Sequence, residues 1–421
     1  MRVSFPVAPF PVADVRGCFP ALGVADNGVP RVYFDAPGGT QVCRQAIAAM
    51  VTHLESGTAN AGGAFATSIA TDALSAAAHQ AMADLLGGEP GEIAFGANMT
   101  SLTLALSRAL AAEWDAGDEI VLSRLDHDAN VAPWLRAARD RDVVIRWIEL
   151  DPETGTLRLE TLPALLGVRT RLVAVGGASN ALGTLNDVAA IIAAVRAHSR
   201  ALVFVDAVQS VPHEPVDVRA LDCDFLACSP YKFFGPHAGV LWGRSDPLAS
   251  LDAYKVRPAA TAPSAVRFET GTPSFEAQAG VLGTVDYLEW LGGTLAPDAP
   301  DRRARLRAAM AGCTAYEREL GNRLLAGFQR IAGLSLYGPP TMGGRVPTFA
   351  FTLAGHHPRV VAQHLANSNI FAWSGHFYAV EAIAQLGLAD SGGLVRVGLC
   401  HYNTADEVDR LLSALEALAG R

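Results

Sequence analysis

Four short segments of this 421-residue chain place residues of reactive type directly after apolar runs. Phe95 is followed by Gly-Ala-Asn-Met99-Thr100-Ser101. Small and polar residues that lead into a helix present free N–H groups and the positive end of a dipole, which suits a phosphate; an ordinary helix cap has the same composition. Val205 is followed by Asp206-Ala-Val-Gln209. A carboxylate at the end of an apolar strand is poorly solvated and needs a partner, either a nearby Arg or a protonated ring nitrogen. Cys228 is followed by Ser229-Pro-Tyr-Lys232-Phe-Phe. Aromatic neighbours desolvate a lysine, lower its pKa and free the neutral amine to condense with an aldehyde; a lone lysine more commonly snorkels to water. Asp126-His127-Asp128-Ala-Asn130 adds an imidazole that could stack on an aromatic ligand. Its flanking acids do not complete a metal site, and we assign no metal ligands.

These segments need a framework that brings strand ends together. Short apolar runs at Glu119–Leu122, Leu172–Val175, Leu202–Val205 and Phe225–Cys228 alternate with helical stretches, of which Val188–His198 is the clearest. Such alternation predicts an α/β fold with a mainly parallel sheet sandwiched by helices, and ligands then bind beyond the carboxyl ends of the strands. A helix is predicted from Leu102 and a strand over Val143–Leu150. Residues Leu282–Ala332 read as largely helical, and the last ninety as a small α+β unit. The expected division is an N-terminal arm (1–30) packing on the small domain, a large domain (31–290) and a small C-terminal domain (291–421).

Composition narrows the field. The formal charge is −9, against nucleic-acid binding, and half the residues are hydrophobic, enough for a large core. No apolar stretch has the length of a membrane span, and no signal peptide is evident, so a cytoplasmic protein is expected. Six scattered cysteines suit neither a disulfide framework nor a zinc site.

Taken in order, a phosphate loop, an aromatic stacker, an Asp with Gln three later, and then a Lys suit pyridoxal 5′-phosphate. The chain resembles the fold-type I enzymes of the class V aminotransferase group, nearest the group II cysteine desulfurase and selenocysteine lyase branch. The likeness runs from about Tyr33 to Leu415. It is carried by Tyr33-Phe-Asp35 with Gly39-Thr-Gln41, Asp126-His-Asp-Ala-Asn130, Ser179-Asn-Ala-Leu-Gly183, Asp206-Ala-Val-Gln209, Ser229-Pro-Tyr-Lys232, Arg267-Phe-Glu-Thr-Gly-Thr-Pro273 and Arg396.

The resemblance implies that Lys232 holds the cofactor aldehyde, Asp206 pairs with the ring nitrogen, His127 stacks on the ring and Gln209 contacts its hydroxyl. Met99, Thr100 and Ser229 would hold the phosphate. Thr272 would reach the phosphate of a neighbouring subunit, implying a homodimer with shared sites. Asn180 and Arg396 would bind the carboxylate of an amino acid substrate. Two residues depart from the pattern: Tyr231 stands where the branch has His, and Tyr378, in Gly375-His-Phe-Tyr378, stands where it carries a nucleophilic loop cysteine. A phenol cannot accept sulfur as a persulfide, so the chain resembles a desulfurase-like subgroup. The implied activity is a C–S or C–Se lyase working without an enzyme persulfide, with Tyr378 facing substrate. A class V aminotransferase or epimerase, and a non-catalytic cofactor-binding protein, are the alternatives.

Overall fold

The computed structural model describes residues 10–420. The first nine residues of the expected arm therefore lie outside the described part. Phe10 stacks on Tyr316 and Arg16 pairs with Glu407, both in the C-terminal part of the chain. Phe19 packs edge-on against Phe234 and Tyr287 as well as His401 and Tyr402. The arm thus touches both parts of the molecule rather than the small domain alone.

Seven strands form the main sheet: β1 (Ile93–Gly96), β2 (Glu119–Ser123), β3 (Val144–Ile148), β4 (Thr170–Gly176), β5 (Leu202–Asp206), β6 (Phe225–Cys228) and β7 (Gly239–Gly243), in the order β1-β7-β6-β5-β4-β2-β3. β3, β2, β4, β5 and β6 are mutually parallel. β7 runs antiparallel to both β6 and β1. β7 is not among the apolar runs read as strands: Gly-Val-Leu-Trp-Gly follows the lysine segment too closely for a crossover helix, and only an antiparallel return fits so short a connection. All five of its residues are buried, as are those of β6, so the centre of the sheet is covered on both faces.

Two helices bracket the functional strand ends. The first, α1 (Met99–Ala111), begins three residues before the expected Leu102, because the Asn98 side chain accepts the Ser101 N–H at 2.8 Å and caps it there. The second, α2 (Val188–His198), has the expected bounds and is capped by Asp187. The charged helical region divides into α3 (Phe275–Leu295) and α4 (Arg302–Phe328), broken at the Pro-rich stretch 296–301. A second, four-stranded sheet follows: β8 (Leu334–Tyr337), β9 (Thr348–Leu353), β10 (Trp373–Gly375) and β11 (Leu394–Gly398), in the order β8-β9-β11-β10 and antiparallel throughout. Its core, built on Phe349, Phe351, Val395 and Val397, is separate from those of the main sheet. The expected single strand over Val143–Leu150 ends at Ile148, and Leu150–Asp151 pairs elsewhere with Thr156–Leu157.

Candidate active site

The ends of β1, β2, β4, β5 and β6 converge on one cavity. It is lined by Asn98, Met99, Thr100, Asp126, His127, Ala129, Asn180, Asp206, Gln209, Ser229, Tyr231 and Lys232, among others. Eight of the eleven residues selected from sequence meet here, from segments more than a hundred positions apart. Of the remaining three, Arg396 and Tyr378 sit at its edge, while Thr272 lines a different cavity, with Gln278 and His237.

Lys232 ends a one-turn helix after β6 and is 8% exposed. Its ammonium donates to the Pro37 carbonyl, which also accepts from Gln209 Nε2 at 2.8 Å. Burial, with the Arg396 guanidinium nearby, brings the Lys232 pKa down to about 7, against the pull of Asp206 and Asp35. A large fraction of the amine is therefore neutral near pH 7. Asp206 closes β5 and makes no ion pair among the described residues; one oxygen accepts the Val208 N–H at 3.0 Å. Burial raises its carboxyl to about 6.

His127 follows β2. Its Nδ1 accepts the Ala129 N–H at 3.0 Å, which leaves the proton of a neutral ring on Nε2. Burial first, then the charges of Lys232 and Arg396, push its pKa down to about 4, so the imidazole is neutral at physiological pH. One ring face stacks on Tyr378, centroid to centroid at 5.4 Å.

The phosphate end is set by backbone. Asn98 caps α1 with Met99 and Thr100 as its first residues, and β7 passes immediately beside this turn. A Cβ on Gly239 would lie 2.2 Å from the Asn98 carbonyl carbon and 2.6 Å from the Met99 nitrogen. Only glycine permits that approach, which holds the amide turn open toward the cavity.

At the other end, Arg396 reaches in from β11. It is 4% exposed and forms no ion pair among the described residues. One of its nitrogens donates to the Asn180 carbonyl at 2.8 Å, and Nε has no partner. Asn180 Nδ2 donates to the Phe377 carbonyl at 2.7 Å, leaving a buried Oδ1 unpaired. A buried guanidinium without a counterion is a ready receptor for a carboxylate.

Three further groups enter the site without having been singled out for a role in it. The Pro37 carbonyl is one, and no side-chain pattern signals a backbone acceptor. Asp35 is another: burial raises its carboxyl to about 6, and Oδ1 is unpartnered. The third is Asp126, fully buried, which accepts from Gly176 N–H at 3.0 Å and from Asn130 Nδ2 at 2.7 Å. Asn130 in turn accepts from Trp134 Nε1 at 3.0 Å. This chain of bonds ties the His127 turn to β4. The acid beside the histidine was its only signal in the sequence. None of the six cysteines lines the cavity; all are free, and five are buried.

The family model for class-V aminotransferases matches residues 32–411. The chain belongs to the class V aminotransferase family. It is a pyridoxal 5′-phosphate-dependent enzyme of fold type I and cysteine desulfurase-like, with the large parallel-dominated sheet that fold requires. An uncharacterized protein of Mycobacterium tuberculosis is 34% identical over 411 residues, covering 97% of this chain and 99% of its own. A cysteine desulfurase of Klebsiella pneumoniae is 33% identical over 424 residues, with 97% and 98% coverage. Among solved structures, the apo cysteine desulfurase of Thermococcus onnurineus superposes with a TM-score of 0.85 at 25% identity, covering 99% of both chains.

The residues present suit the family's cofactor. The cavity joins a capped helix N-terminus for a phosphate, a buried unpaired carboxylate for a ring nitrogen, and a buried amine for an aldehyde.

Proposed function

We propose that this class V enzyme is a lyase acting on an amino acid, breaking a C–S or C–Se bond at the β-carbon without passing the chalcogen through an enzyme cysteine. The observation that carries the reading is the loop residue Tyr378, together with a cavity that no cysteine lines. The similarity to cysteine desulfurases supports the substrate class, and the tyrosine argues against their relay of sulfur.

When bound, pyridoxal 5′-phosphate supplies an electron sink for a carbanion at the substrate α-carbon. In this reading Lys232 would hold the cofactor through its aldehyde, and its amine would take the substrate α-proton at Nζ. Burial keeps enough of that amine neutral near pH 7 for it to act as a base. Asp206 would keep a proton on the ring nitrogen, Gln209 would meet the ring hydroxyl, and neutral His127 would pack on the ring. Met99, Thr100 and Ser229 receive the phosphate. Arg396 and Asn180 take the substrate carboxylate, and Tyr378 borders the leaving group. The C–S or C–Se bond breaks with its electron pair departing on sulfur or selenium.

Thr272, in its separate cavity, is read as reaching the phosphate of a second copy in a homodimer. The division into an arm, a large domain (31–290) and a small domain (291–421) belongs to the same reading. So does a cytoplasmic location; among the described residues no helix is long and apolar enough to cross a membrane.

The test is spectral. Protein reconstituted with pyridoxal 5′-phosphate is expected to carry a visible band that Lys232→Ala removes. A panel of amino acids with sulfur or selenium at the β-carbon should perturb that band and yield an α-keto acid and ammonia. A wild type that stays colourless after reconstitution rules the lysine assignment out.

A further inference from the structure

Phe377 sits between the two residues assigned to the substrate carboxylate and touches both. Its ring lies under the Arg396 guanidinium, 4.2 Å from the guanidinium carbon to the ring centroid. Its carbonyl accepts from Asn180 Nδ2 at 2.7 Å. Its backbone is left-handed (φ +54°), as is that of Tyr378 (φ +59°), two successive non-glycine residues in a conformation that L residues seldom adopt. The next carbonyl, that of Tyr378, accepts the Asp128 N–H at 2.7 Å and pins the segment to the His127 turn. One strained segment is thus anchored at three separate points of the site.

We propose that Phe377 is the positioning and specificity-determining residue of the carboxylate clamp, orienting Arg396 and Asn180 for an α-carboxylate. The inference rests on the assignment of those two residues made above.

The physical case is directional. A guanidinium binds a carboxylate through N–H groups in its own plane, while an aromatic ring binds it through the face. Phe377 covers a face and leaves the edge with the unpartnered Nε for an anion. Arg396 has no carboxylate within ion-pair distance among the described residues to fix its plane. Its one hydrogen bond among the described residues, to the Asn180 carbonyl, sets a single nitrogen and allows rotation about that contact. The ring removes this freedom. It also excludes water from one side of the cation, which strengthens a charge-assisted pair at the edge. The carbonyl of the same residue fixes the rotation of the Asn180 amide, with one N–H still unused. An amine lacking the carboxylate gains nothing from either effect, so Phe377 favours α-amino acids over simple amines.

The experiment uses cofactor-loaded protein and compares the concentrations at which L-alanine and ethylamine half-perturb the visible band. The wild type is expected to prefer L-alanine. Phe377→Ala should lose roughly tenfold of that preference, the worth of a desolvated cation–π contact, with ethylamine binding unchanged. Phe377→Leu keeps apolar volume without an aromatic face and should show a similar loss even if the alanine variant folds poorly. Phe377→Tyr restores the ring and should recover the preference to within about twofold. If Arg396→Ala abolishes the preference while both Phe377→Ala and Phe377→Leu keep it, the role of Phe377 is overturned and the clamp assignment stands. If Arg396→Ala leaves the preference intact, or the wild type has none, the clamp assignment fails and the inference fails with it.

Discussion

Lys232, Asp206 and His127 have in common that burial disfavours their charged forms, with different consequences. The amine comes down to about 7, the carboxyl goes up to about 6 and the imidazole down to about 4. For Lys232 the sign is as follows. Between pH 7 and its usual value near 10.5, the unfolded chain binds a proton that the folded chain does not. Stability of the cofactor-free protein therefore rises with pH across that window, through this group. Lys232→Met should raise the thermal midpoint at pH 7 and flatten its rise toward pH 10. A variant whose midpoint tracks the wild type at every pH would show the buried lysine to be no burden. Tyr378 leads to a second expectation. Desulfuration of L-cysteine through an enzyme persulfide should be absent or very weak, and the six single Cys→Ser variants should each leave the turnover of the true substrate in place. Robust sulfide release that disappears with one of these cysteines would restore a persulfide route.

Among elements, the turn between β1 and α1 is the most exacting. Asn98 is its cap, and Gly239 on β7 lies against it. Gly239→Ala must displace the Asn98 backbone, at a cost of about 1–3 kcal/mol typical of overpacking. Because that backbone is the phosphate receptor, cofactor affinity should fall by tenfold or more, a change larger than the loss of stability alone explains. Asn98→Ala should cost about 1 kcal/mol through the lost cap. Equilibrium dialysis of the cofactor alongside thermal melts separates the two effects, and wild-type affinity in Gly239→Ala would contradict the cradle. This element also marks where sequence reading is accurate and where it slips. β6 and α2 have the bounds that apolar runs and helical periodicity predict. The start of α1 does not: Met99-Thr-Ser lacks an apolar stripe, and the capping asparagine rather than hydrophobicity sets its first turn. β7 escaped because it is a short Gly-bounded run that closely follows the segment read for its lysine.

At the scale of the whole molecule, the two sheets are joined by a buried polar cluster. Glu317 on α4 accepts from His213 Nδ1 at 2.8 Å and lies 3.8 Å from His401 Nδ1, and His401 Nε2 meets the Tyr287 hydroxyl at 2.6 Å. Burial alone would raise the Glu317 carboxyl, but the two histidines outweigh it and hold it below its usual range. Glu317→Ala leaves the buried His213 without its partner and should lower the unfolding free energy by roughly 3–5 kcal/mol, read from the urea midpoint. A loss below about 1 kcal/mol, the worth of an exposed pair, would show the cluster to be solvated.

The sequence by itself determined the class of fold and the identity of most of the candidate site. Strand-end residues announce themselves by type: a carboxylate, an imidazole or a lysine set directly after an apolar run is costly to bury and so stands out. Tyr378 was legible only through the resemblance, as an exposed loop residue standing where the branch carries a cysteine. The tertiary structure decided which residues share the cavity and in what protonation state. Pro37, which receives both Lys232 and Gln209, acts through a backbone carbonyl that its side chain does not advertise. Phe377 reads in sequence as one more loop aromatic and becomes informative only when β11 brings Arg396 onto its ring. Thr272 was placed by its motif, yet it lies outside the Lys232 cavity of its own chain. The physical reason is common to all three: burial, field and hydrogen-bond direction depend on contacts between distant parts of the chain, and local residue type carries no record of them.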